Sequence, residues 1–152
     1  MKTIEESLGY HFRDPSLLTR ALTRKEFADR EWQQGRHEQN QEVLTVLGES
    51  VLMTVFIELL IQAKYPTRMT LIAEKKRLEH QEALVEVAAR IGIGPFIRTG
   101  MEGDELKEHR PEILADTMRA IVGALYLDGG FESARTAIVG WYGGMVRPHL
   151  VE

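Results

Sequence analysis

The side chains able to do chemistry in this 152-residue chain are carboxylates, guanidiniums, imidazoles and hydroxyls, because it contains no cysteine. That absence excludes disulfides, thiolate zinc sites and cysteine nucleophiles. The histidines, His11, His37, His80, His109 and His149, have no paired helical spacing, so no two of them present a metal from one helix face. Ser50 lacks a His and Asp partner in any recognisable arrangement and reads as a packing residue. Asp116 by itself, a single acid within a helix, reads as a surface or ion-paired group. Two basic clusters, Arg20 with Arg24-Lys25 and Lys75-Lys76-Arg77, could contact phosphates or simply form solvated helix faces.

The elements that must position these groups are helical. Asp14-Pro15 starts a helix by capping and by proline at its first position, with Leu17, Leu18, Ala21 and Leu22 as its apolar stripe. Residues 26–40 are polar and poorly periodic, fitting a loop or frayed helix over the surface. From Gln41 to Lys64, Leu44, Leu47, Val51, Val55 and Leu59 recur at steps of three and four, which predicts a long central helix stopped before Tyr65-Pro66. Leu47, Val51, Val55 and Leu59 make a core or dimer stripe. Thr70 is read as the cap of one further helix running to Ile91-Gly92, residues 99–108 as an exposed loop, and Pro111 as the start of a helix halted at Asp128-Gly129-Gly130. A last helix covers Phe131 to about Val146, and no alternating run long enough for a strand occurs.

Composition bounds the rest. A hydrophobic content of 43% and a charged content of 28% match ordinary globular domains and exclude wholesale disorder. The length fits one all-α domain over residues 1–152. A net charge of −4 argues against diffuse binding to polyanions while leaving local phosphate contacts open. Thr54, Glu58 and Gln62 interrupt the apolar runs, so no membrane span is expected. The N-terminal residues lack the apolar core of a secretion signal, and the chain is expected to be cytoplasmic.

Two helical segments resemble the motifs of the ribonuclease III family. Glu42-Val-Leu44-Thr45-Val-Leu47-Gly48-Glu49-Ser50-Val51-Leu52 resembles its signature helix, E-R-L-E-F-L-G-D-S-V-L. Ile113 to Asp128, beginning Ile-Leu-Ala-Asp116-Thr117, is similar to its second motif, I-L-A-D-T-x-E-A-L-I-G-A-x-Y-L-D. The opening Ile4 to Thr23 is similar as well. The resemblance implies a ribonuclease III endonuclease-domain-like helical bundle, a homodimer, and a double-stranded RNA substrate cut with magnesium held by four carboxylates.

Carried across one residue at a time, those four positions fall on Thr45, Glu49, Asp116 and Arg119. Only Asp116 is unchanged. Glu49 keeps the charge on a longer arm, Thr45 offers a neutral oxygen, and Arg119 brings a permanent cation that could pair with Glu49 or Asp116. Two carboxylates thus become Thr and Arg, moving the charge at those positions from −2 to +1. Glu42 matches a position the family associates with substrate contacts, or is kept because the helix macrodipole favours an acid there. The family's E-G-x-L-T turn is replaced by Thr67-Arg68-Met69-Thr70, and its L-T-H-R-S by Leu22-Thr23-Arg24-Lys25-Glu26.

Two function classes follow. One is a catalytically degenerate homodimer that binds double-stranded RNA or a ribonucleoprotein, or acts as a scaffold, with no cofactor. The other is a weak endoribonuclease using Glu42, Glu49 and Asp116, with magnesium on Glu49 and Asp116. A third arrangement is a heterodimer in which this chain supports a catalytic partner.

Overall fold

The computed structural model describes residues 2–149; residues 1 and 150–152, the ends of the expected single domain, lie outside the described residues. In chain order the helices are α1 (Ile4–Leu8), α2 (Pro15–Ala21), α3 (Lys25–Gln33), α4 (Glu42–Gln62), α5 (Arg68–Glu79), α6 (Gln81–Ile91) and α7 (Gly103–Tyr142), with 3-10 turns at Gly94–Phe96 and Gly143–Met145. Among the described residues there is no strand, only an isolated parallel bridge between Thr23 and Arg98. The all-α expectation holds.

The bundle is organised on the antiparallel crossing of α4 and α7. A Cβ on Gly48 would lie 1.6 Å from the carbonyl oxygen of Arg119, and one on Gly123 would lie 2.4 Å from that of Leu44. The two backbones therefore touch, and the absence of side chains at these two positions is what allows it. Around the contact, Val51, Leu52, Val55, Phe56 and Leu60 of α4 share one buried core with Leu114, Ala115, Met118, Ile121 and Leu125 of α7. This burial explains α4 better than its composition does. Its mean hydropathy of 2.0 over 18 residues meets the length and composition expected of a membrane span, contrary to the reading of its interrupting polar residues, yet one face of it packs into the bundle core.

Several boundaries differ from expectation for local reasons. The polar stretch after Glu26 is helical to Gln33, because its few apolar residues fall on one face, with Ala28 buried and Phe27 partly covered under the Arg98 guanidinium. Thr67, not Thr70, caps α5: its hydroxyl accepts the Thr70 amide, and the Thr70 hydroxyl accepts the Thr67 amide. The helix expected to run on to Ile91 breaks at His80, whose extended backbone ends α5 and whose Nδ1 accepts the Glu82 amide to start α6. Residues 103–110 are helical, so Pro111 sits inside α7 rather than at its start. At Gly130 (φ 81°, ψ 179°) α7 breaks where the glycine pair was expected to halt it.

Two hydrogen-bonded carboxylates close the bundle. Asp128 accepts hydrogen bonds from the Tyr10 hydroxyl (2.7 Å) and from the Arg13 and Asp14 amides (2.9 Å each), fixing the start of α2 against α7. Burial works to raise its pKa, but those three donors prevail and hold the carboxyl below the usual range. Glu74 accepts both Nε (2.7 Å) and Nη2 (2.8 Å) of Arg77 and the backbone amide of Arg147 (3.0 Å), tying the chain after α7 to α5.

Gly48→Ala should destabilise the fold by about 3 kcal/mol or more, because α4 and α7 must separate or bend. Gly140→Ala, on a helix surface with nothing within 4 Å of its Cβ position, should be neutral or stabilise by up to about 1 kcal/mol. Urea unfolding of both variants checks the contrast. The Arg77 guanidinium holds Glu74 below its ordinary value of 4.5. The pairing therefore contributes in full above about pH 5 and is lost as the pH falls through the depressed folded value. Melting curves from pH 7 to pH 3 should show a smaller acid loss in Glu74→Gln than in the unaltered protein.

Candidate functional site

The backbone contact at Gly48 brings the middle of α4 beside Asp116 and Arg119 on α7. Asp116 is partly buried, and both of its oxygens are occupied. Arg119 Nη1 donates to Oδ1 at 3.1 Å, within one helix turn. Arg24 Nη1 donates to Oδ2 at 2.9 Å from the short connection between α2 and α3. The i, i+3 spacing of positions 116 and 119 makes the first pair, so the expected pairing of Arg119 falls on Asp116. The sequence marked Arg24 as part of a basic cluster and as a departure from the family's L-T-H-R-S, but not as a partner of Asp116.

Arg24 is held from several sides. Its Nη1 also donates to Gln41 Oε1 at 3.1 Å, and its backbone amide donates to the Arg98 carbonyl at 3.0 Å. Gln41 is buried at 1% exposure just before α4; its Nε2 donates to the Ala21 carbonyl (2.7 Å) and to Thr117 Oγ1 (3.1 Å). The cluster thus joins the end of α2, the start of α4 and the middle of α7. The available clues to it were that Arg24 stands where the resemblance expects histidine and that Gln41 directly precedes the signature helix.

The remaining expected site residues do not join it. Glu49 is exposed and makes no ion pair among the described residues; with Arg119, Glu79, Leu52, Met53, Phe56 and Leu84 it lines a cavity of about 160 Å³. Glu42 is exposed as the first residue of α4. The Thr45 hydroxyl donates to the Glu42 carbonyl, within its own helix. Where the resemblance expects an acidic turn, Thr67 caps α5 and Met69 is 83% exposed.

Among the described residues no group of three or more His, Asp or Glu side chains is placed to hold a metal. Magnesium requires several oxygens at about 2.0–2.1 Å in near-octahedral geometry. Here the one unchanged acid faces a guanidinium on each oxygen, and the donor set does not fit that ion. What this arrangement can do is hold three segments together by charge-assisted hydrogen bonds.

Beside the cluster, α4 turns a second face outward. Val43 (68% exposed), Val46 (67%) and Ile61 (60%) align with Ser50, Thr54 and Ile57 at steps of three and four. The Ser50 and Thr54 hydroxyls donate back to the Val46 and Ser50 carbonyls, so the stripe presents little unsatisfied polarity. Val51 and Val55, expected as core or dimer stripe, are buried in the core. The outward stripe is a different one.

Known proteins share this fold. The Ribonuclease-III-like family pattern matches residues 14–143. Ribonuclease 3 of Bdellovibrio bacteriovorus is 40% identical over 141 residues, covering 90% of this chain and 58% of that protein. Ribonuclease 3 of Pseudomonas paraeruginosa is 36% identical over 148 residues, covering 95% and 60%. The nuclease domain of ribonuclease III from Campylobacter jejuni superposes with a TM-score of 0.78 at 29% identity, covering 99% of this chain and all of that one. A second structure of that domain, described for flexibility in the region involved in dimer formation, gives a TM-score of 0.75 at 30% identity and covers 92% and 96%. The chain belongs to the ribonuclease III-like family, and its fold is that of the nuclease domain. It spans 58–60% of the length of these curated relatives.

Asp116→Asn should lower stability by about 2 kcal/mol, a value already reduced for the partial exposure of the group, because two guanidiniums lose their common carboxylate. Urea unfolding at pH 7 measures it, and an unchanged midpoint would show the cluster to be energetically idle.

Proposed function

We propose that this chain is a catalytically degenerate, homodimeric ribonuclease III-family domain that serves RNA processing in the cytoplasm by binding double-stranded RNA or a ribonucleoprotein, or as a scaffold. The observation that carries the reading is the saturation of Asp116 by Arg24 and Arg119. Phosphodiester hydrolysis of the kind the family resemblance implies needs a metal to activate water and to stabilise the leaving oxygen. A site whose one unchanged acid is bound by guanidiniums on both oxygens offers little to hold that metal. Losing such a metal costs several kcal/mol of barrier, which is decades of rate.

The homodimer is supported by the Val43–Ile61 stripe, an exposed apolar row on the helix with the highest apolar content in the bundle. Two such rows crossing about a twofold axis would cover each other. The dimer formation described for the Campylobacter jejuni domain supports the same reading. Exposed Glu42 and Glu49 lie on α4 between this stripe and the face that meets α7, so a second copy would border them. The weak-nuclease alternative rests on these two acids and Asp116, and the same experiment distinguishes it.

The unaltered protein should leave long double-stranded RNA intact at millimolar magnesium, and should sediment as a dimer at micromolar concentration that Val46→Glu converts to monomer. Metal-dependent cleavage abolished by Asp116→Ala would overturn the degenerate reading. A monomer in the unaltered protein would overturn the dimer.

A further inference from the structure

The family resemblance expects acids where Thr45 and Arg119 stand, and rebuilding those two acids would be the obvious repair. The structure adds a third obstacle on a different segment. Arg24 comes from the α2–α3 connection, is independent of both positions, and faces Oδ2 of Asp116 at 2.9 Å. Its side chain is only 11% exposed. Gln41, itself buried and hydrogen bonded to Ala21 and Thr117, fixes the same Nη1. Its Nε is buried with no hydrogen-bond partner, 3.6 Å from a Glu26 oxygen. A guanidinium so enclosed is fixed beside Asp116 by its neighbours from both sides.

We infer that Arg24 is a second determinant of metal exclusion: its guanidinium stands where a cation would be held on Asp116, and it keeps the site closed even when acids are restored at positions 45 and 119. The inference rests on the degenerate reading of the site and adds a residue to it. Arg119→Glu would free Oδ1 of Asp116 while Oδ2 remained bound to Arg24. A divalent ion would then have to displace a buried cation or sit beside it, and like charge at that range weakens binding. Histidine, which the family resemblance places at position 24, can be neutral and so removes the fixed charge.

The test is calorimetric titration of manganese, as a magnesium substitute, into the whole chain in four forms. These are the unaltered protein, Thr45→Glu with Arg119→Glu, that pair with Arg24→His, and that triple form with Asp116→Asn. Circular dichroism verifies folding of each. The unaltered protein should show no binding at millimolar manganese. The triple form should bind at least about tenfold more tightly than the double form, and Asp116→Asn should remove the gain. Arg24→Gln in the double background should reproduce the gain if the histidine form folds poorly, whereas Arg24→Lys, which keeps the charge, should not. Equal affinities in the double form and in its folded Arg24→His or Arg24→Gln derivative would overturn the role of Arg24 while leaving the degenerate reading intact. Manganese bound by the unaltered protein and lost in Asp116→Asn would overturn both.

Discussion

Two glycines set the distance on which the rest of this molecule depends. With Gly48 against the Arg119 carbonyl and Gly123 against that of Leu44, α4 and α7 approach backbone to backbone, closer than any pair of larger residues permits. That contact determines which side chains become neighbours. It sets Glu49 and Arg119 along one small cavity, brings Asp116 within reach of the α2–α3 connection, and leaves the opposite side of α4 facing outward.

The altered side chains satisfy one another. A carboxylate cluster without metal repels itself, whereas Asp116 with Arg24 and Arg119 holds its segments together with charge-assisted hydrogen bonds and needs no ion. Gln41 and Thr117 extend the network into buried surroundings where unpaired polar groups are costly. The result is a structural joint between α2, α4 and α7, set beside an exposed apolar row on α4.

The long-range plan was legible in the sequence. The central helix, the capped start of α2, the break at the Asp128-Gly129-Gly130 turn and the all-α class follow from apolar periodicity, proline and glycine, whose effects are local. The substitutions Thr45 and Arg119 were equally legible, because the flanking residues of both motifs align them. What was missed depended on contacts far apart in sequence. Arg24 lies in a short polar link, and nothing local ties it to a carboxylate 92 positions away. Helix α7 begins before Pro111 because a long helix packed on a core tolerates one missing amide. The outward stripe was hidden because α4 is apolar on nearly every side, and only the position of α7 distinguishes its inner from its outer face.

The claim that guanidiniums have replaced metal at Asp116 is tested most directly by anomalous diffraction from crystals of the unaltered protein soaked in millimolar manganese. The expected result is guanidinium density on both Asp116 oxygens and no anomalous peak among Glu49, Asp116 and Arg119. A manganese peak about 2.2 Å from an Asp116 oxygen, with Arg24 or Arg119 swung aside, would contradict it.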